Sequence, residues 1–255
     1  MKSLESLYLP LFVPVPDRDP HILIYKTSAF FAVELNISRS GKRAVKIEGK
    51  ICREALRQLR NAMNVIVKEA LPDSFLLRVY VETEHSCFIP SMLVSSLLKL
   101  IDLTSQYYEE SFSDEDKDEI VEGILSERLG FFRNLGKSLS IATRKKISLL
   151  FSASELREIS TPPIDVYPKK RLRIGNAPVL EQRMADLIAK MNSLFLFDHY
   201  ESILEENEEK RNLSERGINS LFHYMYGVPT MRQGVYSFDT PSALCFYRIG
   251  GGRKK

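Results

Sequence analysis

The chain of 255 residues lacks tryptophan and has only three cysteines, Cys52, Cys87 and Cys245. The cysteines lie far apart and form no CxxC pair, so neither a disulfide framework nor a zinc knuckle is predicted. The four histidines show no HxH or HExxH spacing, which excludes the usual zinc-hydrolase signatures. The sequence therefore predicts no metal site.

Long apolar runs are also missing. No segment approaches the roughly 18 consecutive apolar residues of a membrane span. The opening residues, MKSLESLYLPLFVPVP, carry Glu5 and three prolines where a signal peptide has its apolar core. We therefore expect a soluble, cytoplasmic protein with no membrane partner.

Three glycine motifs that mark common enzyme classes are absent. The sequence has no GxSxG, no GxxxxGK[ST] and no GxGxxG. This excludes the nucleophile elbow of hydrolases, the P-loop and the Rossmann fingerprint. Any phosphate-binding or catalytic function must rest on a different pattern.

Net charge is modest, at +3, with 44% hydrophobic and 27% charged residues. Such a chain can bury a core and is not intrinsically disordered. Its basic residues concentrate in three segments, 144–146, 169–173 and 253–255. Either these segments contact nucleic acid or they are solvated surface, and the second is the commoner use of basic runs.

The apolar periodicity of the first hundred residues predicts strands and helices in one layer. Residues 29–37 and 43–48 read as two strands joined by a glycine-containing hairpin loop. Residues 56–70 have the three-and-four spacing of an amphipathic helix, with Leu59 and Met63 expected in the core. Residues 75–83 alternate as a strand, which we expect to bury Val79 and Val81. We therefore predict an α+β fold with a mixed or antiparallel sheet and packed helices.

The second half reads as helices followed by a closing hairpin. A helical region runs from Pro178 to about Lys210, and we expect Ser214 to cap the next helix. Two short strands then flank Thr240 and Pro241. The expected core stripe of the first helix consists of Leu180, Met184, Leu187, Ile188, Met191 and Phe195.

The stretch 78–102 hints at a ligand. A strand leads to Pro90, after which Leu93, Leu97 and Leu100 follow a helical stripe. We expect Ser91 to cap this helix, with Ser95 and Ser96 in its first turn. A helix N-terminus presents free N–H groups that can hold a phosphate. The alternative is an ordinary cap with solvated serines.

Two sets of carboxylates come into consideration for acid–base chemistry. Asp165 lies in the proline-stiffened segment STPPIDVYP, which would place it rigidly. Glu82 and Glu84 lie on one side of a strand end and would suit a carboxylate pair. The alternatives are a turn carboxylate and two solvated acids.

The order of elements and the residues IPSMLVSSL at 89–97 resemble the GHMP kinase superfamily. That family carries a G-L-G-S-S-A motif at the start of a helix, where it cradles the phosphates of ATP. Pro90, Leu93, Ser95 and Ser96 fit the motif, whereas Met92 and Val94 stand where the family has glycines. The family's third, glycine-rich motif is not recognisable.

The resemblance implies a two-part architecture. Residues 1–160 would form an α+β part like ribosomal protein S5 domain 2, and residues 161–255 a second α+β part. It implies a small-molecule kinase homologue, divergent and either active or without phosphotransferase activity. In an active enzyme, Ser91, Ser95 and Ser96 would contact ATP and Mg²⁺, and Asp165 would be the catalytic base.

Methionine and valine at two glycine positions of the motif favour a protein without phosphotransferase activity. Glycine lets the backbone approach a phosphate closely, whereas methionine and β-branched valine resist the required conformations. We therefore predict weak or absent MgATP binding. Two alternatives remain open: a non-catalytic interaction protein on the same scaffold, and a nucleic-acid-associated protein that uses the three basic segments.

Overall fold

The structure is a computed structural model that describes residues 3–15, 18–39, 43–70, 75–83, 85, 87–109, 111–152 and 155–250. The chain divides into two compact units. The first combines the residues up to Leu7 with Ala29–Arg144, and the second combines Tyr8–Ser28 with the chain from Lys145 onward. This division differs from a single predicted boundary at residue 160, because an early segment of the chain joins the C-terminal unit.

The described residues form nine strands, six α-helices and one π-helical turn. They are β1 (Ser3–Leu11), β2 (Ile22–Arg39), β3 (Ala44–Lys50), α1 (Arg53–Ala70), β4 (Phe75–Glu82), α2 (Ile89–Tyr108), α3 (Asp114–Gly123), a π-helical turn (Ile124–Arg128), α4 (Leu135–Lys145), β5 (Ser148–Phe151), β6 (Leu156–Ile159), β7 (Val166–Arg173), α5 (Gln182–Leu204), α6 (Glu208–Tyr226), β8 (Val235–Thr240) and β9 (Ala243–Ile249).

The sheet of the first unit is mixed. β3 pairs with β4 in parallel, and β4 pairs with the second half of β2 in antiparallel fashion. The predicted hairpin between β2 and β3 is therefore wrong, because β4 lies between the two strands. α1 is the crossover that a parallel pair requires, since two parallel strands cannot be joined by a tight turn. The hairpin loop residues 40–42 lie outside the described residues.

The helical stripes of the first unit agree with the predicted periods. Leu59 and Met63 of α1 and Val79 and Val81 of β4 are buried as expected. Leu97 and Ile101 of α2 are buried too. The first ten residues of α2 are buried on every face, the environment of a central core helix.

The helices α3 and α4 are tied together by two carboxylates. Glu122 accepts hydrogen bonds from the backbone N–H groups of Asn134 and Lys137, 2.6 and 3.0 Å long, at the start of α4. Buried Asp118 accepts from Ser140 at 2.6 Å and from two nitrogens of Arg144 at 2.6 and 3.2 Å. These bonds satisfy the free donors of a helix N-terminus and neutralise a buried charge.

The second unit has strands of two sheets. The start of β2 pairs with β5, which pairs with β6, both in antiparallel fashion. A separate three-stranded antiparallel sheet has the order β7-β9-β8. β8 and β9 form the predicted closing hairpin, which turns after Thr240.

The helical pair α5 and α6 departs from the predicted register. α5 ends at Leu204, and α6 begins at Glu208 with Asn207 as its N-cap, whose side chain accepts from the Lys210 N–H. Ser214 therefore lies inside α6 and does not cap it. Leu187, expected in the core, is exposed, because α5 buries Ala185, Ile188, Asn192, Leu196, His199 and Ser202 instead.

The chain has an α+β fold with mixed and antiparallel sheets and packed helices, as predicted. No helix among the described residues combines the length and apolar character needed to cross a membrane.

Candidate functional site

The start of α2 differs from the predicted one. Phe88 is the N-cap residue, with a left-handed backbone at φ 71°, and no side chain caps the helix. Ile89 begins the helix and Pro90 occupies its first turn, where a missing N–H costs nothing. The prediction that Ser91 caps the helix is therefore wrong, because Ser91 already lies within it.

The serine pair is buried in the second turn. Ser95 and Ser96 are 2% and 0% exposed, and neither hydroxyl has a hydrogen-bond partner. Ser91 is fully buried as well. A helix holds an anion with the free N–H groups of its first turn, so these positions lie too far along the helix for that role.

The two residues that replace the glycines of the GHMP motif are buried as well. Met92 and Val94 are buried among core side chains. The Met92 N–H donates to the Phe88 carbonyl at 3.1 Å, so it is already used within the helix. Residues 89–97 thus form a packed helix where the GHMP motif would require a loop with converging N–H groups, and they do not fit the phosphates of ATP.

Asp165 lies at the start of β7 in the second unit. Its carboxylate accepts a hydrogen bond from the Ser28 hydroxyl at 2.5 Å, and its carbonyl accepts from the Gly250 N–H at 2.8 Å. The neighbouring Ile164 bridges to Thr27. Asp165 is therefore positioned by contacts with residues that are distant in the chain, and its role as a catalytic base stays a prediction.

Asp165 lines a cavity of about 520 Å³ within the second unit. Its charged lining combines three acids with three bases: Asp165, Glu208, Glu215, Lys169, Arg211 and Arg248. Tyr167, Asn212 and Gln233 add further polar groups. A cavity with balanced charges and many hydrogen-bonding groups suits a small polar molecule.

A buried polar chain lies behind the cavity wall. The Tyr25 hydroxyl and His199 Nδ1 are 3.0 Å apart, and His199 Nε2 lies 3.8 Å from Glu215 Oε1. Arg211 Nε approaches the same Glu215 oxygen at 3.8 Å. In the tautomer whose Nδ1 accepts from the Tyr25 hydroxyl, the ring N–H is at Nε2, which faces the Glu215 carboxylate.

Burial dominates the electrostatics of this cluster of polar side chains. Burial raises the pKa of Tyr25 well above its ordinary value, and the nearby Tyr200 and Glu215 raise it further against the opposing charge of Arg211. Tyr25 is therefore a neutral phenol. Three atoms of this polar cluster are buried without a hydrogen bond: His199 Nε2, Arg211 Nε and Glu215 Oε2. The contacts within the cluster therefore do not satisfy all of its polar groups.

Sequence reasoning missed most of this cavity. Tyr25, His199 and Glu215 are distant in the chain and have no motif spacing, so only the tertiary fold brings them together. Glu82, from the candidate carboxylate pair, pairs with Lys50 at 3.4 Å, and Glu84 lies outside the described residues.

Metal binding has little basis in the described part of the chain. Within it, no group of three or more His, Cys, Asp or Glu side chains is placed to hold a metal ion.

No known family model matches the sequence. The curated proteins contain no match either.

Three solved structures illustrate what the fold resembles. Mevalonate kinase of L. major, in complex with R-mevalonate, has a TM-score of 0.60 at 10% identity, covering 99% of this chain and 88% of that one.

The second structure is a D-glycero-D-manno-heptose 1-phosphate kinase from Bacteriodes thetaiotaomicron, with a TM-score of 0.57 at 12% identity over 97% of this chain and 88% of that one. The third is Streptococcus pneumoniae phosphomevalonate kinase in complex with phosphomevalonate and AMPPNP, with a TM-score of 0.53 at 11% identity over 100% and 93%. At such identities the similarity concerns the fold alone. The chain has the fold of the GHMP small-molecule kinases along nearly its whole length.

Proposed function

We propose that this protein is a GHMP-fold binding protein that holds a small hydroxylated anion and does not transfer phosphate from ATP. The observation that carries the proposal is the buried helix at residues 89–97. Kinase catalysis of this type depends on positioning and on electrostatic stabilisation of the transferred phosphate. Both need backbone N–H groups that reach the phosphates, and a core helix does not offer them.

Changing that helix into a loop would be costly. Ile89, Leu93 and Leu97 are fully buried, so unwinding the first turns would expose several large apolar side chains. Each such side chain contributes about 1.5–3 kcal/mol when it is buried. MgATP binding would have to offset this loss, and the remaining serine hydroxyls are too few to do so.

The test is calorimetric titration of the full chain with MgATP at millimolar concentrations. We expect a dissociation constant above about 1 mM, equivalent to no more than roughly 4 kcal/mol. The matched control is the double variant Ser95→Ala, Ser96→Ala, which should show the same weak affinity for MgATP as the unchanged chain. Micromolar binding that the double variant abolishes would restore the active-kinase interpretation.

The cavity around Glu215 supports the binding half of the proposal. Lys169 and Arg248 can donate hydrogen bonds to a carboxylate or phosphate in the cavity, while Asp165 and Glu208 can accept hydrogen bonds from hydroxyl groups. R-mevalonate and phosphomevalonate are named as ligands in two of the similar structures, and a heptose 1-phosphate stands in the name of the third protein. All three are hydroxylated anions and serve as probes.

Thermal shift with these probes tests the cavity. We expect at least one probe to raise the melting temperature, and Arg248→Ala to remove the effect. Arg232→Ala is the matched control, because Arg232 is exposed nearby in the chain but does not line the cavity. No shift with any of the three probes, or an equal shift in both variants, would contradict binding at this cavity.

The nucleic-acid alternative has weaker support. Arg144 pairs with Asp118 and Asp114, and Lys145 pairs with Glu158. Arg171 pairs with the buried Asp239 at 2.7 Å. Three cations of the basic segments thus have internal partners, and residues 253–255 lie outside the described residues. A steep dependence of affinity on salt would be the mark of nucleic-acid binding.

A further inference from the structure

Another cavity, of about 300 Å³, lies among the helices of the first unit. It is bounded by residues of α1, α2, α3 and the π-helical turn, an irregularity that is frequent at functional sites. Apolar side chains make up most of its lining: Val65, Ile66, Ile101, Phe112, Ile120 and Ile124. This volume and this lining are typical of a site for a small molecule, at the lower end of the usual size range.

Gly123 also lines this cavity, which we call the Gly123 cavity. The residue lies where α3 continues into the π-helical turn, with an ordinary right-handed backbone at φ −58°. That backbone does not require glycine, and glycine inside a helical run is less stable than alanine. Packing does not require glycine either, because a Cβ here would have no packed neighbour within 4 Å. The protein's own side chains therefore leave the space over Gly123 unfilled.

Acidic side chains flank Gly123 along the helical run. Glu119 and Glu127 lie about one helical turn before and after it, which puts them on the same face as Gly123 and in the lining of the cavity. Neither glutamate side chain has a hydrogen-bond or ion-pair partner in the described part of the chain. Arg128 is a cation in the same lining, so acids outnumber bases there by two to one. The cavity therefore attracts a cation.

The remaining lining groups favour a ligand that is both apolar and cationic. Thr104 lines the cavity, but its hydroxyl already donates to the Leu100 and Ile101 carbonyls at 3.0 and 2.8 Å. The buried part of the lining therefore presents apolar groups and offers an anion no free hydroxyl donor. Phe112 is 37% exposed, and an aromatic ring attracts cations as well as apolar groups.

We propose that the Gly123 cavity binds a small organic amine, whose apolar group fills the space over Gly123 and whose ammonium is within reach of Glu119 and Glu127. Burial of the apolar group supplies most of the affinity, because ion pairs at exposed carboxylates contribute little. The two carboxylates select an amine over an uncharged molecule of the same shape. This site does not rest on the proposed function, which concerns a different cavity in the second unit.

An NMR titration of the full chain with 2-phenylethylamine, which is a cation at neutral pH, tests the site at millimolar concentrations. We expect the amide signals of residues 119–128 to shift, with an affinity at least about threefold higher than for uncharged 2-phenylethanol. The double variant Glu119→Gln, Glu127→Gln should bind the two probes equally. Glu115→Gln is the matched control and should keep the preference, because Glu115 is exposed on α3 but does not line the cavity.

Substitution of the glycine provides an independent readout. Gly123→Ala should raise the melting temperature by about 1–4 °C, because alanine fits the open space and has the higher helix propensity. Gly123→Leu places a larger side chain in the cavity and should weaken amine binding at least about tenfold. A lower melting temperature of the alanine variant would show that the space is not open. The proposal is also overturned if the amine shifts no amide of residues 119–128, if the unchanged chain binds both probes equally, or if Gly123→Leu binds the amine as well as the unchanged chain does.

Discussion

Removing the serine hydroxyls of α2 should stabilise the protein. Ser95 and Ser96 are buried inside the helix without hydrogen-bond partners. A buried hydroxyl that forms no hydrogen bond costs about 1–3 kcal/mol of folding free energy. Alanine removes that cost and also has the highest helix propensity, worth up to about 0.7 kcal/mol over serine.

We therefore expect Ser95→Ala and Ser96→Ala each to raise the free energy of unfolding by about 1–3 kcal/mol. For a chain of this size, each kcal/mol corresponds to roughly 2–4 °C in melting temperature. If the serines lay in a solvated phosphate loop, replacing them by alanine would leave the free energy of unfolding unchanged in the absence of nucleotide. The direction of the stability change thus separates the two structures.

The assay is urea unfolding monitored by circular dichroism, with the midpoint and slope compared between variants. Thr104→Ala is the matched control, because Thr104 is buried in the same helix but donates to the Leu100 and Ile101 carbonyls at 3.0 and 2.8 Å. That variant should lose stability. If both serine variants are destabilised by more than about 1 kcal/mol, the hydroxyls have partners and the reasoning fails.

Three further predictions concern other parts of the first unit. Arg144→Met should cost about 3–5 kcal/mol in urea unfolding, because it leaves Asp118 as an uncompensated buried carboxylate. Gly49→Ala should disrupt the β3–β4 pair, detectable as lost amide protection, because a Cβ there would lie 1.7 Å from a carbonyl oxygen of β4. Hydrogen bonds from the Ser113 side chain and backbone lower the pKa of Asp116 below its ordinary 3.8. The stabilisation that these bonds provide is present above pH 3.8 and is lost on acidification through the lower pKa of the folded state. In an NMR titration, Ser113→Ala should move the Asp116 midpoint up toward 3.8.

The sequence predicted elements well where one periodicity dominates. α1 and β4 have clean helical and alternating patterns, and their core residues Leu59, Met63, Val79 and Val81 are buried as expected. Strand pairing is a different matter. Nothing in the pattern of β3 distinguishes a hairpin with β2 from a parallel partner across α1, because both arrangements bury the same face.

The errors in the helices have local causes. α2 begins earlier than predicted because Phe88 adopts a left-handed backbone and Pro90 suits the first turn, while Ser91 offered a more familiar cap. α5 has apolar residues on two faces, so its period alone could not decide whether Leu187 or Leu196 points inward. The polar chain of Tyr25, His199 and Glu215 depends on tertiary contacts that no short pattern encodes.

Amide hydrogen exchange across residues 89–98, with and without MgATP, tests the central claim most directly. A buried helix predicts that the amides from Leu93 onward exchange only with global unfolding, because their N–H groups are bonded within α2. Adding MgATP should leave these rates unchanged. Fast exchange in this stretch that slows when MgATP is added would show a phosphate loop that orders on its ligand, and would contradict the account.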